Sequence, residues 1–306
     1  MPRQGDPGSG PGCSGSQRRG PDDLTAHGPQ SSSQPGNEGE EAETGEVELQ
    51  STFQQAVDEG IERLSRKTGA LVTTGILGGM DVSLGVLALL LVQDATGSGI
   101  LAALAFSIGF IALLMGRSEL YTENFLIPVA ALARGAGTVR QLLRLWTVTF
   151  LMNLVGALLL AGLIVVGFPH LQDTAVEVAR QYPAAELSRA VALGLLAGIT
   201  ITFMTWIVHA ARSEVGRIIA VSMAAFLLSA GHMHHVVVVS SEMFVALLTR
   251  TAPFGLMDWA RVAALATVTN AVGGLLLVTV LRFAQVGPRV MENEAMGRVK
   301  WGNTVR

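Results

Sequence analysis

Two polar runs interrupt otherwise apolar segments: Gly116-Arg117-Ser118-Glu119-Leu120-Tyr121-Thr122-Glu123-Asn124 and Gly231-His232-Met233-His234-His235. Imidazole, carboxylate and hydroxyl groups donate, accept and exchange protons, and here they stand where apolar helices should run on. Histidine titrates near neutral pH, so an imidazole at a bottleneck can donate a hydrogen bond or a proton to a solute and make its passage pH-dependent. His234 is the candidate for that role. The competing reading has it bonded to backbone, orienting the loop without touching solute, and the residues alone leave both open. His232 and His235 read as packing neighbours. Three histidines within four residues also suggest a metal, but no cysteine or convergent carboxylate set accompanies them at ligand spacing. No metal or other cofactor is therefore expected. A histidine-based enzyme would need a nucleophile or acidic partners, and only Ser240, Ser241 and Glu242 follow, so the chain does not read as an enzyme.

The elements around these runs set the physical problem. The chain has 306 residues, 50% hydrophobic and 15% charged, with a mean hydropathy of +0.46; soluble domains carry about 25% charged residues. The composition is that of an integral membrane protein. Irregular backbone facing lipid costs several kcal/mol per unpaired group, so an interruption is tolerated only inside protein or along a cavity. Two interruptions in corresponding places point to a solute path between them. A helix restarted at mid-membrane also presents free N–H groups and partial positive charge, which favour anions.

Residues 1–48 are rich in Gly, Pro, Ser, Gln and Glu and are expected to be a disordered tail, with no apolar core of a cleaved signal. Residues 49–67 follow as an amphipathic helix lying at the membrane interface. Phe53, Val57, Ile61 and Leu64 share one side, and Asp58, Glu59, Glu62, Arg63 and Arg66 the other. The segment 68–284 then divides into six spanning units, four uninterrupted and near the roughly 20 residues a bilayer requires and two longer ones holding the breaks: 68–93, 95–133 with the first break, 145–169, 190–208, 218–248 with the second break, and 262–281. Residues 285–306 are a polar C-terminal tail. Ten loop Lys and Arg fall on one side and four (Arg180, Arg189, Arg250 and Arg261) on the other, so both termini are expected in the cytoplasm.

An internal repeat supports this division. Asn153-Leu-Val-Gly-Ala-Leu-Leu-Leu in the third unit matches Asn270-Ala-Val-Gly-Gly-Leu-Leu-Leu in the sixth, 117 residues later. Three spans per half is an odd number, so the halves must be inverted relative to each other. The fold expected is all-α, with two inverted three-helix repeats whose second and fifth helices are broken at mid-membrane. Asn153 and Asn270 read as helix–helix hydrogen bonders. Asp81 and Arg117 are intramembrane charges, costly unless paired or functional; a buried pair bracing the first break and an Asp81 facing a watery vestibule are alternative readings. Glu119 and Glu123 are expected to bond loop N–H groups, and Glu242 to sit at a vestibule rim.

The same residues resemble a known family. Ser118-Glu119-Leu120-Tyr121-Thr122 is similar to the (Ser/Ala)-Glu-Leu-Phe-Thr loop of the formate/nitrite transporters, and Gly231-His-Met-His234 to their Gly-Phe-Glu-His segment. The resemblance covers about residues 50–285. It implies an aquaporin-like six-helix fold, a homopentamer with one pore per protomer, and passage of small monovalent anions of the formate, nitrite or hydrosulfide class, with or without a proton. His234 matches the central histidine. Phe106, Leu120, Tyr121 and Leu227 match the dry constriction, and Thr122, with Glu119, Arg117 and Asp81 about it, the gating loop. Departures are Tyr121 for Phe, Leu227 for an aromatic, Met233 for Glu, Val238 for Asn, Gly198 for Asn and Tyr182 for Lys. A neutral-solute pore of the water or glycerol kind is the alternative, although neither break carries the Asn-Pro-Ala triplet that reading wants. The lipid bilayer is the other implied partner, and nucleic acid is not one.

Overall fold

The computed structural model describes residues 35–286 and falls into two compact units, Met1–Ala42 and Glu43–Arg306. Of the first, only the helical stretch 35–42 is described. All statements below concern the second.

Five helices among the described residues are long and apolar enough to cross a membrane: α2 (Thr68–Thr96), α3 (Gly99–Gly116), α5 (Val139–Gly167), α8 (Leu187–Ala210), and Leu256–Val286. The last comprises α11 (Leu256–Val272), a π-helical stretch (Gly273–Thr279) and α12 (Val280–Val286). The remaining unit is split between α9 (Glu214–Ala230) and the short apolar α10 (Val236–Thr249). The first break likewise separates α3 from a 3₁₀ turn, Tyr121–Phe125, and the short α4 (Ile127–Ala133). Between α5 and α8 lie two short helices, α6 (Gln172–Ala179) and α7 (Gln181–Ala184).

The N-terminal helix α1 runs Pro35–Ser65, so it begins well inside the stretch expected to be disordered; the expectations for residues 1–34 and for the tail from residue 287 lie outside the described residues. Its apolar stripe, apart from the exposed Ile61, is covered by protein. Phe53 and Val57 are buried against Leu126, Ala130, Trp206 and Val286, and Leu64 against Leu71, Ala131, Leu142 and Leu145. An amphipathic stripe records that a helix must cover its apolar side, not whether lipid or protein covers it. Here the bundle does.

The two halves repeat one bonding scheme. Asn153 on α5 donates through Nδ2 to the carbonyls of Gly75 (2.8 Å) and Glu119 (2.8 Å) and accepts the Tyr121 N–H at 2.8 Å. Asn270 on α11 donates to Gly194 (2.9 Å) and His234 (2.9 Å) and accepts the Val236 N–H at 2.9 Å. One amide thus fastens a spanning helix to both sides of a break, in each half. The approach is close enough that a Cβ on Gly79 would lie 2.0 Å from the Asn153 carbonyl, and one on Gly198 2.1 Å from that of Asn270, so only glycine fits either position. The half-helix entering each break ends beside a non-glycine residue in the left-handed region, Arg117 (φ 52) and His232 (φ 46).

Asn270→Ala would strand the His234 carbonyl and the Val236 N–H in the bundle, each costing about 1–3 kcal/mol. The expected result is a fall of roughly 5–10 °C in unfolding temperature, measured in detergent. Asn153→Ala should behave alike, and a change of less than a degree in either would show that the breaks do not depend on these amides.

Candidate functional site

Each break uses its side chains differently. In the first, the backbone is satisfied from the surrounding helices. Glu119 N–H donates to Thr74 (3.2 Å), Trp146 Nε1 donates to the Asn124 carbonyl (2.9 Å) and Thr279 Oγ1 to that of Phe125 (3.0 Å). Thr279 closes the π-helical stretch, a local insertion of the kind often found at functional positions. Tyr121 is wedged edge-on between Phe125 and Phe150, each 5.1 Å away by ring centroids.

The carboxylates of this break do not bond loop N–H groups; they meet α1. Arg66 Nη1 donates to Glu119 at 2.6 Å. Arg63, itself buried, donates to Asn124 Oδ1 at 3.0 Å and to Glu59 at 2.6 and 2.9 Å, with Glu123 3.8 Å away. His209 of α8 completes the cluster, its Nε2 lying 2.9 Å from Glu59 and its Nδ1 2.7 Å from the Thr205 carbonyl. Burial works against charge on Glu59, but the His209 bond and the Arg63 guanidinium outweigh it and hold the carboxyl well below the ordinary carboxylate range. Burial likewise opposes the Arg63 charge, and Glu59, Glu123 and Glu119 overcome it and raise that group. These residues line a cavity of about 490 Å³, bounded also by Arg117, Ser118 and Arg217. Arg117 is exposed and Asp81 accepts a bond from Ser118 rather than pairing with it, so the buried Asp81–Arg117 brace is not formed. The left-handed Arg117 ends α3 with its side chain turned to the cavity.

At the second break the three imidazoles point apart. His232 Nδ1 lies 3.0 Å from Gln181 Nε2. His234 packs edge-on to Tyr182, centroids 5.2 Å apart. His235 is fully buried and spans to the first break, its Nε2 2.7 Å from Thr122 Oγ1. Val238 N–H donates to His235 Nδ1 at 3.3 Å, so His235 caps α10 through Nδ1 and, when neutral, carries its hydrogen on Nε2, facing Thr122. Among the described residues no group of three His, Cys, Asp or Glu is placed to hold a metal ion.

The side chain that joins the breaks is therefore His235, not His234. The same one-residue difference recurs upstream in α9: Leu227, expected at the constriction, is 48% exposed on the outer face, while Leu228 is buried in the central cluster with Phe106, Leu120 and Tyr121. Helix rotation of about 100° per residue separates the two faces. The left-handed His232 then re-aims the chain so that His235 continues inward. A left-handed residue is favoured by glycine, and Gly231, which the sequence does supply, adopts ordinary α geometry (φ −82) instead. Phe106, Leu120 and Thr122 are all fully buried.

His234 retains a different position. Among the described residues, the buried side-chain polar atoms left without a partner are Glu119 Oε2, Arg144 Nε and Arg217 Nε. The His234 ring nitrogens make no hydrogen bond and are not among them, so the ring, though buried, is not wholly sealed from solvent. Beside it, Tyr182 donates to Glu242 Oε2 at 2.6 Å. Burial first, then the adjacent Glu242 carboxyl, push the phenol well above its ordinary value and keep it a donor. Glu242 is thus buried beside the path rather than set on an exposed rim. Sequence reading placed it eight residues past His234, but helix phase alone did not reveal that Tyr182 folds over it.

A six-unit bundle whose two broken units meet at its centre is the fold of a membrane channel or transporter. The chain belongs to the formate/nitrite transporter family, whose model matches residues 50–284. It is 26% identical over 242 residues to the inner membrane protein YfdC of Escherichia coli (strain K12), covering 74% of this chain and 76% of that protein. It is 25% identical over 244 residues to the uncharacterized transporter YrhG of Bacillus subtilis (strain 168), covering 74% and 89%. Among solved structures, an FNT family ion channel superposes with a TM-score of 0.72 at 16% identity, over 76% of this chain and 98% of that one. A pentameric formate channel with formate bound gives 0.61 at 19%, over 71% and 96%. At these identities the structural likeness is one of fold.

The depressed Glu59 carboxyl gives α1 docking a definite pH behaviour. Its contribution is complete above the ordinary carboxylate range and is lost only as pH falls through the lower, folded-state value. Hydrogen exchange of residues 49–65 should therefore show protection maintained from pH 8 down to pH 5. Glu59→Gln should raise exchange there about tenfold at pH 7, the discounted worth of a partly exposed charge-assisted pair. Equal exchange in variant and wild type would remove Glu59 from the docking.

Proposed function

We propose that each protomer of a homopentamer passes small monovalent anions of the formate, nitrite or hydrosulfide class through a path between its two breaks. The two halves are inverted in the membrane and both termini face the cytoplasm. The observation that carries the reading is the Thr122–His235 contact, which closes a dry centre with groups able to hydrogen-bond an anion. A permanent anion enters such an apolar slot only at high cost. His235 and Thr122 reduce that cost at the centre, and His234 meets the solute one step earlier with its unbonded ring nitrogens. Arg189, whose charge acts on both His232 and His234, draws anions to that mouth, where the family's usual lysine position holds Tyr182. Membership of the family and the fold shared with a formate-bound pentamer support the cargo and the assembly. Glu119, Arg117 and Asp81 shape the approach on the α1 side, where Arg63 and Arg66 hold the gating loop.

Uptake of formate, nitrite, hydrosulfide and glycerol into proteoliposomes at pH 5–8 tests this. Anion flux without glycerol flux is expected. His235→Ala and His234→Ala should each reduce it by about tenfold or more, the scale of one lost hydrogen-bonding group at a reacting or permeating charge. Glycerol flux alone would overturn the anion reading; anion flux indifferent to both substitutions would overturn the roles of the histidines.

A further inference from the structure

Glu242 is used by nothing described so far. Its side chain is 4% exposed, and its one hydrogen bond is the 2.6 Å donation from the Tyr182 hydroxyl to Oε2. The titratable and charged groups around it are Tyr182 from α7, His232 and His234 from the second break, and Arg189 at the start of α8. The Arg189 charge acts on the two histidines and not on Glu242. From α2, α5, α6 and α11, the helices packed beside α10, no charged side chain is bonded or paired to it. Its second oxygen, Oε1, makes no hydrogen bond and is not wholly sealed from solvent, and the same holds for the His234 ring nitrogens.

A carboxylate held this deep by one neutral donor is expensive. Charged at the mouth of an anion path, it would also repel the cargo. A merely structural partner for Tyr182 would be served by an amide. What a carboxylic acid adds at this place is a removable proton.

We propose that Glu242 is the proton-delivering residue of the path, with Tyr182 as its positioning partner. This rests on the anion reading above. In the step, the O–H bond at Oε1 breaks and a new bond forms from that hydrogen to an oxygen or sulfur of the entering conjugate base. The electron pair stays on Glu242, whose carboxylate keeps the Tyr182 hydroxyl as donor. The neutral acid then passes the apolar closure at Thr122 and His235, and a solvent proton from the mouth restores Glu242. One anion and one proton cross together, with no net charge moved.

The test uses the full-length protein in proteoliposomes, following labelled formate uptake and internal acidification with a trapped pH dye. Wild type should acidify in step with formate entry. Glu242→Gln, which preserves an acceptor for Tyr182, should lose both by at least about tenfold, the lower range for a positioned acid; Glu242→Asp should recover part. Tyr182→Phe should retain flux and displace its pH profile to higher pH, because a carboxylate without its donor holds the proton more tightly. If Glu242→Gln fails to assemble, the Tyr182→Phe profile decides, and an unchanged profile overturns the proposal. So does Glu242→Gln with wild-type flux and acidification. Wild type that moves no anion at any pH would instead overturn the anion reading, and this step with it.

Discussion

In hydrocarbon a helix can stop and restart only where other parts of the protein supply the hydrogen bonds that the interruption frees. Asn153 and Asn270 supply them. Each makes three bonds, to a helix carbonyl, to a carbonyl within the break and to an N–H two residues later. An amide suits this place because it offers both donors and an acceptor on one short side chain without a charge to desolvate. The small residues around it, Gly79 and Gly198, follow from the backbone approach it enforces. With these fixed, the two breaks have no freedom but to face each other, and Thr122 and His235 meet.

The halves then depart from each other. The first break is tied to a charged helix outside the span, through Arg63 and Arg66, and so communicates with α1 and the cavity beneath it. The second is tied inward, through His235 to Thr122, and outward, through His234 to Tyr182. One break carries the ionic network and the other the imidazoles. The symmetry is in the bracing; the chemistry is not symmetric.

Most of the architecture was legible in the sequence because hydrocarbon limits the options. Apolar length gave the spans, polar interruption gave the breaks, and Asn-x-Val-Gly-x-Leu-Leu-Leu tied the third unit to the sixth. What escaped was decided by contacts that periodicity does not encode. The stripe of Phe53 and Val57 requires cover but does not say that Trp206 and Leu126 provide it rather than lipid. Asp81 and Arg117 are both unusual within a span, yet Ser118, adjacent to Arg117, takes the aspartate. The register of the second break turned on the backbone at His232, where no glycine announces a left-handed residue. The motif points to His234 and Leu227, while the contact with Thr122 is made by His235 and the buried residue of α9 is Leu228.

That one-residue difference bears on how the site works. With a single central histidine, one ring must both hold the closure and meet the solute. In the proposed function the two tasks fall on neighbours. His235 is committed on both nitrogens, to Val238 N–H and to Thr122, and so is poor as a free donor or acceptor until the closure opens. His234 is committed on neither, and stands beside a phenol and a carboxyl. A ring held on both sides fixes geometry, and a ring held on neither can change protonation without disturbing the fold. Under the proposed function, the apolar Met233 and Val238 fit that division: the centre would need little more than a dry seal, with the exchange of hydrogen bonds and protons one residue nearer the mouth.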